Sequence, residues 1–206
     1  MLSDDERLRT KAQLRDWIRY ERERYGITKH PVWQEMLSLK ERALLSKHNV
    51  LLRKTEYYLN TNHKIIGNFY RIKLVRMQHK YALHIPLNTC KKGLKIMHIG
   101  PVLLNGNVTV GENCSLHINT ALVAGGGGGG FPTLSDNIVV GVGAVIVGNI
   151  FLAENIAVGA NAVVNKSFTE EDITIAGVPA KKISNGGRTK WNKTSEKGSE
   201  KNESGE

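Results

Sequence analysis

The feature that most constrains this chain is a six-residue period in its second half. Aliphatic side chains stand at Leu104, Val110, Leu116, Leu122, Leu134, Val140, Ile146, Leu152, Val158 and Val164. Four residues after eight of these comes a second, often small residue: Val108, Cys114, Thr120, Ile138, Ala144, Ile150, Ile156 and Ala162. A helix repeats at 3.6 residues and a simple strand at 2, so neither accounts for six. Short strands joined by tight turns do. Three such units close a triangular coil of about 18 residues, and coils stack at the strand spacing of ~4.8 Å. The aliphatics then point inward and pile into a column in which each coil supports its neighbours. Some five coils fit between Leu83 and Val164. Gly111, Gly141 and Gly159 directly follow an aliphatic, where the chain is expected to turn. The run from Gly125 to Gly130 keeps the count, because Leu122 to Val140 is three units of six.

Composition divides the chain into three. Residues 1–80 read as an α-helical N-terminal region, poor in glycine and rich in Leu, Arg, Lys and Glu. Leu14, Trp17, Ile18 and Tyr25 recur at helical spacing, with Gly26 as the expected C-cap. Pro31 suits the first turn of a helix carrying Trp33, Leu37 and Leu44 on one side. Ile65, Ile66, Phe69, Tyr70, Ile72 and Met77 mark another helix running toward Tyr81. Residues 81–183 hold the repeat. Residues 184–206 are too polar to bury a core and are expected to form a disordered tail.

The net charge of +10 is not spread evenly. Residues 1–80 carry 18 basic and 9 acidic side chains, whereas residues 81–183 carry 6 of each. The basicity therefore belongs to the helices, where it suits capping of the coil stack, subunit contacts, or docking to an acidic partner or a membrane surface. Nucleic acid is disfavoured, because no basic stripe with placed aromatics stands out from the helical patterning. No apolar run approaches the ~20 residues that cross a bilayer. The start, Met1 to Glu6, lacks the basic and apolar regions of a signal peptide, so a cytoplasmic location is expected. Cys90 and Cys114 are the only cysteines and form no Cys-x-x-Cys, which indicates neither a disulfide framework nor a cysteine zinc site.

Three stretches carry a resemblance: Gly93-Leu94-Lys95-Ile96-Met97-His98, Val140-Gly141-Val142-Gly143-Ala144 and Ala176-Gly177-Val178-Pro179-Ala180-Lys181. With Ile146-Val147-Gly148-Asn149-Ile150, they resemble the serine O-acetyltransferase family of hexapeptide-repeat acyltransferases. The similarity is nearest to short members associated with surface-polysaccharide synthesis. It runs from about Ile85 to Ile183 apart from the glycine loop, and more loosely into Asn60–Tyr81. It implies a mainly β fold, a left-handed parallel β-helix preceded by the helical region, assembled as a homotrimer or higher oligomer with active sites between subunits. It also implies acetyl-CoA as co-substrate and an acetyl transfer to a hydroxyl of L-serine or of a sugar.

His98 matches the family's general-base histidine, whose role is to take the proton from the acceptor hydroxyl as it attacks the thioester. Free imidazole titrates near pH ~6.5 and is available as a base at neutrality. An unbroken count back from Leu104 would instead point His98 inward, although Gly100-Pro101 interrupts the geometry there. His117, 19 residues on, would be its diagonal neighbour on the next coil and is the second catalytic candidate. The cofactor-binding candidates are Gly125 and Gly126 as backbone donors, Gly143 and Ala160 along the coil, and Lys181 and Lys182 toward CoA phosphates. Turn geometry and solvated lysines are the alternatives. The chain departs from the family at Met97, where an Asp is usual, and in the glycine loop, where an Arg-His pair is usual. Those residues hold the amino acid and orient the base, so the acceptor stays open between serine and sugar. No metal is expected, since His98 and His117 are too few for the three-histidine site of β-helix carbonic anhydrases. A non-catalytic β-helix scaffold and an anion-binding role for the helices are the competing functions.

Overall fold

The computed structural model describes residues 1–27 and 40–190. Helix α1 (Lys11–Arg24) starts at a reciprocal cap: the Gln13 amide donates to Thr10 Oγ1, and the Thr10 amide donates to the Gln13 side chain. It ends at Tyr25, followed by Gly26 at a left-handed φ of 71°. Helix α2 (Glu41–Asn60) and helix α3 (Lys64–Tyr81) form a hairpin. Gly67 lets α3 approach closely, since a Cβ there would meet Leu59 Cδ2 at 2.5 Å. Of the helix expected from Pro31, Trp33 and Leu37 lie outside the described residues, while Leu44 falls on α2, which begins at Glu41.

The rest is a three-faced left-handed parallel β-helix. One face stacks β1 (Leu83–His84), β3 (Val102–Leu104), β6 (Thr120–Val123), β9 (Val145–Val147) and β12 (Val163–Val164). A second stacks β4 (Thr109–Val110), β7 (Thr133–Leu134) and β10 (Phe151–Leu152). The third stacks β2 (Lys95–Ile96), β5 (Ser115–Leu116), β8 (Val139–Val140), β11 (Ala157–Val158) and β13 (Ile173–Ala176). It closes with an antiparallel β14 (Lys181–Asn185). Every inward aliphatic and every small residue of the six-residue pattern is buried. Each fully buried Leu, Ile or Val contributes about 1.5–3 kcal/mol.

Three expectations are refined or corrected. Gly111, Gly141 and Gly159 do open the turns, the Gly141 carbonyl accepting from the Ala144 amide at 3.2 Å and the Gly159 carbonyl from Ala162 at 3.4 Å. They do not take the left-handed position but lie where the next coil passes too close for a Cβ, which at Gly141 would sit 2.7 Å from the Val158 carbonyl oxygen. The left-handed turn positions fall mainly to asparagine, whose short amide tolerates that conformation. Asn113, Asn137 and Asn155 line one corner and Asn119 and Asn161 another, all with φ of 54–59°. Second, the glycine run does not stand for one face of a coil. Val110 pairs with Leu134, Leu116 with Val140 and Leu122 with Ile146, each 24 residues on rather than 18. The run is a six-residue insertion bulging from a corner, with a 3-10 turn at Gly126–Gly128. Third, the boundary at 184 cuts through β14, and the chain beyond it still packs: the Arg188 amide donates to the Asn155 carbonyl at 2.8 Å. Residues 191–206 lie outside the described residues.

A stack of coils begins with an unpaired row of peptide groups, and the helices satisfy it with side chains. Arg53 is fully buried and donates to the carbonyls of Cys90 and Lys91 at 2.9 and 2.7 Å. Its other contacts are Glu21 at 2.7 Å and Glu56 at 2.8 Å, with the Trp17 ring 4.9 Å away. Glu21 in turn accepts from the amides of Gly93 and Leu94, and Glu56 from that of Asn88. Asn49 donates to Leu94, Gln78 donates to Ile85, and Tyr25 Oη accepts from the Ile96 amide. Burial works against the Arg53 charge, yet Glu21 and Glu56 hold its pKa above the ordinary value. Replacing Arg53 by Met leaves two buried carboxylates without their cation. We expect a loss of about 3–5 kcal/mol in denaturant unfolding, against less than about 1 kcal/mol for breaking the half-exposed Glu6–Lys91 pair.

His48, buried on α2, stands between Asn49 Oδ1 at 3.2 Å and the Gln78 amide nitrogen at 3.3 Å, which suits a neutral ring. Burial lowers its pKa to about 4. The unfolded chain takes up a proton here near pH ~6.5 that the folded chain refuses, so stability is lost as pH falls between these values. Acid titration of the unfolding free energy should show a drop of roughly 3 kcal/mol by pH ~4, reduced in His48→Gln.

Candidate active site at the third-face corner

Each turn leading from the third face to the first forms a column along one edge of the β-helix. The residues are 97–100, 117–119, 141–143, 159–161 and 177–179 in successive coils, linked by bonds such as Gly143 N–H to Ile118 O and Asn161 N–H to Val142 O. His98 and His117 sit at the N-terminal end of this column, with ring centroids 6.2 Å apart. Lys95 pairs with Ser115 and Ile96 with Leu116, so the two histidines are diagonal neighbours. The inward position of the first coil is taken by Ile96, leaving the His98 side chain 57% exposed. The inward reading of His98 is thereby excluded. The register slips because this coil is 20 residues long rather than 18.

The sequence reading missed the carboxylate beside His98. Glu41, in the first turn of α2, places Oε2 3.4 Å from His98 Nδ1 and accepts the Ile99 amide on Oε1 at 2.8 Å. The Ile99 bond first, and the histidine second, hold the Glu41 carboxyl below its ordinary pKa. With Nδ1 turned to a carboxylate, the proton of the neutral ring belongs there and the Nε2 lone pair is free to accept. His117 is half-buried, and its pKa is lowered by that burial and then by His98, which keeps it neutral. This arrangement can remove a proton from a hydroxyl placed at the corner and hold it through a displacement.

The other candidates separate. Gly143 and Ala160 lie in the same column as the histidines, one and two coils beyond His117. Gly143 has φ of 71° and faces Asn161, so it occupies the turn position held by asparagine in adjacent coils. Ala160 is exposed. Gly125 and Gly126 lie at a different corner, between the first and second faces, where the loop is closed by the Gly125 amide donating to the Gly130 carbonyl. Within one chain they are not brought to the histidines. Lys181 and Lys182 are exposed on β14, and Lys182 pairs with Glu170 at 2.5 Å. Among the described residues, no group of three or more His, Cys, Asp and Glu side chains is placed to hold a metal ion.

No family model matches the chain. It is 35% identical over 94 residues to the serine acetyltransferase of Synechococcus elongatus, covering 45% of this chain and 38% of that protein. It is 29% identical over 138 residues to the serine acetyltransferase of Buchnera aphidicola, covering 64% and 48%. The chain thus spans less than half the length of these relatives. Among solved structures, the serine acetyltransferase of Brucella abortus superposes with a TM-score of 0.63 at 22% identity, covering 86% of this chain and 71% of that one. A serine acetyltransferase solved in complex with CoA gives 0.57 at 21%, covering 84% and 70%.

The glycines offer a direct check of turn geometry against open space. A Cβ at Gly143 would fall 2.1 Å from Asn161 Oδ1 and one at Gly130 2.6 Å from Asn149 Cβ, both at left-handed φ, whereas Gly126 has nothing within 4 Å. Gly143→Ala and Gly130→Ala should each cost about 1 kcal/mol or more in thermal unfolding. Gly126→Ala should be close to neutral.

Proposed function

We propose that this chain, a relative of the serine acetyltransferases, is an acetyl-CoA-dependent O-acetyltransferase with His98 as general base and Glu41 as its positioning residue. The observation that carries the reading is an exposed imidazole with a carboxylate at Nδ1, set at the end of an open β-helix corner. The serine acetyltransferase relatives and the neighbour solved with CoA support the donor and the reaction class. His98 Nε2 takes the proton of the acceptor hydroxyl as its oxygen bonds to the thioester carbonyl carbon. The tetrahedral intermediate then expels the CoA sulfur, and the imidazolium returns the proton to that thiolate. One hydroxyl and acetyl-CoA become one acetyl ester and CoA thiol, with no covalent enzyme intermediate.

Backbone amides near the reacting carbonyl would hold the oxyanion. We assign the glycine loop of a neighbouring subunit to this task, because Gly125 and Gly126 are remote from His98 within one chain. That assignment requires the homotrimer implied by the resemblance. His117, neutral and adjacent, is placed to orient the acceptor. L-Serine is the acceptor that the relatives' names support. A sugar hydroxyl is the second reading, favoured by Met97 and the uncharged glycine loop, which offer no charged group for an amino acid.

Release of CoA thiol from acetyl-CoA, measured with L-serine and with nucleotide-activated or lipid-linked sugars, tests the proposal. His98→Ala should lower turnover by about 100-fold or more while CoA binding persists. Retained activity in this variant would remove His98 from the base role, and no turnover of any acceptor by the wild type would favour a scaffold. Glu41 stays ionised across neutral pH, its pKa being depressed. Glu41→Gln should therefore lower kcat about 10- to 100-fold with little change in KM for acetyl-CoA.

A further inference from the structure

Among the described residues, helix α3 packs against α2 and β1. Leu74 and Gly67 are buried against α2, and the Tyr58 and Tyr70 rings stack at 5.6 Å between the two helices. That packing fixes which side of α3 faces outward. Ile65 is 89%, Phe69 53% and Ile72 54% exposed, and at helical spacing they fall on one stripe. The same helix carries Lys64, Arg71, Lys73, Arg76 and Lys80 and no acidic residue. Lys73, Arg76 and Lys80 form a row beside the apolar stripe, with Lys73 Nζ 4.2 Å from the centre of the Phe69 ring.

On the other flank of this row lies an apolar slot between α2 and α3 of about 420 Å³. Leu44, Val50, Leu51, Tyr70, Met77 and Tyr81 line it, under a rim of Lys47, Lys54, Lys73, Arg76 and Lys80. No carboxylate contributes to its lining. Around α3 the order is therefore apolar slot, basic row, exposed apolar stripe. Both apolar features share one set of cations.

We propose that this face docks on the surface of an anionic phospholipid bilayer. Ile65, Phe69 and Ile72 enter the acyl boundary while Lys73, Arg76 and Lys80 meet lipid phosphates, and the slot receives a hydrocarbon segment beneath them. Among the described residues no helix is long and apolar enough to span a membrane. Charge favours this occupant over a two-fold pairing of the face with itself: two such faces brought together symmetrically would oppose their basic rows with no acidic residue of α3 to offset them. The docking is independent of the acetyl-transfer reading, since none of these residues belongs to the histidine corner.

Flotation of the full chain with phosphatidylcholine vesicles, with and without phosphatidylglycerol, tests it. The chain should float only with the anionic vesicles and be released by salt. A variant combining Lys73→Gln, Arg76→Gln and Lys80→Gln should bind about 100-fold more weakly, at about 1 kcal/mol per charge. A variant combining Ile65→Ser, Phe69→Ser and Ile72→Ser should also lose flotation, with circular dichroism and melting unchanged because all three side chains are exposed. Absence of flotation with anionic vesicles, or equal flotation with neutral ones, would overturn the proposal. So would a drop in oligomer size in the serine variant without vesicle binding by the wild type, which would make the face a contact between copies.

Discussion

The buried guanidinium of Arg53 is the contact on which the rest of the structure depends. A parallel β-helix has no intrinsic way to end, because its first coil presents donors and acceptors that no earlier coil can pair. Arg53 answers two carbonyls at once, and its charge is balanced by Glu21 from α1 and Glu56 from its own helix. The carboxylates also collect amides of the same coil, Glu21 on the oxygen that meets Arg53 and Glu56 on its other oxygen. Helix, helix and coil are thus tied at one point by groups that would each be costly to bury alone. The same helix α2 reaches back along the coil to its first turn, where Glu41 stands against His98. The cap and the candidate site are two ends of one rigid element.

This link explains what could be read from the sequence. The inward residues declared themselves, since a period of six has few physical sources and every predicted aliphatic is buried. The histidine pair was also legible, because their separation is close to one coil. Glu41 was not. It lies 57 residues before His98, on a helix whose placement on the coil no local pattern encodes. The missing acidic neighbour at Met97 signalled that a carboxylate was wanted, but several acidic side chains in the helices were equally eligible. The glycine run misled for a different reason: an insertion six residues long is invisible to a search for sixes, and only strand pairing reveals that the coil spans 24.

Two residue types divide the work of turning the coils. Asparagine takes the left-handed positions, where its side chain tolerates the conformation, and glycine takes the positions where two backbones approach closely. Gly143 takes a left-handed position and is also closely approached, by the Asn161 side chain, which is why it reads equally well as a turn and as a window for a ligand. At the far end β14 folds back antiparallel on β13 and the segment with Arg188 crosses toward Asn155 and Asn113. The stack is therefore closed at its two ends by different means, buried side-chain charge at one and main-chain reversal at the other.

The position of the charged cap bears on the order of events during synthesis. Because α1 and α2 precede the first coil in the chain, the residues that cap its edge are synthesised before the strands that lie on it. Each later coil is likewise made after the neighbour on its upstream side, so that an edge with its cap already synthesised is available to it. A protein built with the same repeat but with its helices at the other terminus would fold to similar contacts while leaving its first edge free throughout translation, at the stage when unpaired strands most readily join those of another chain.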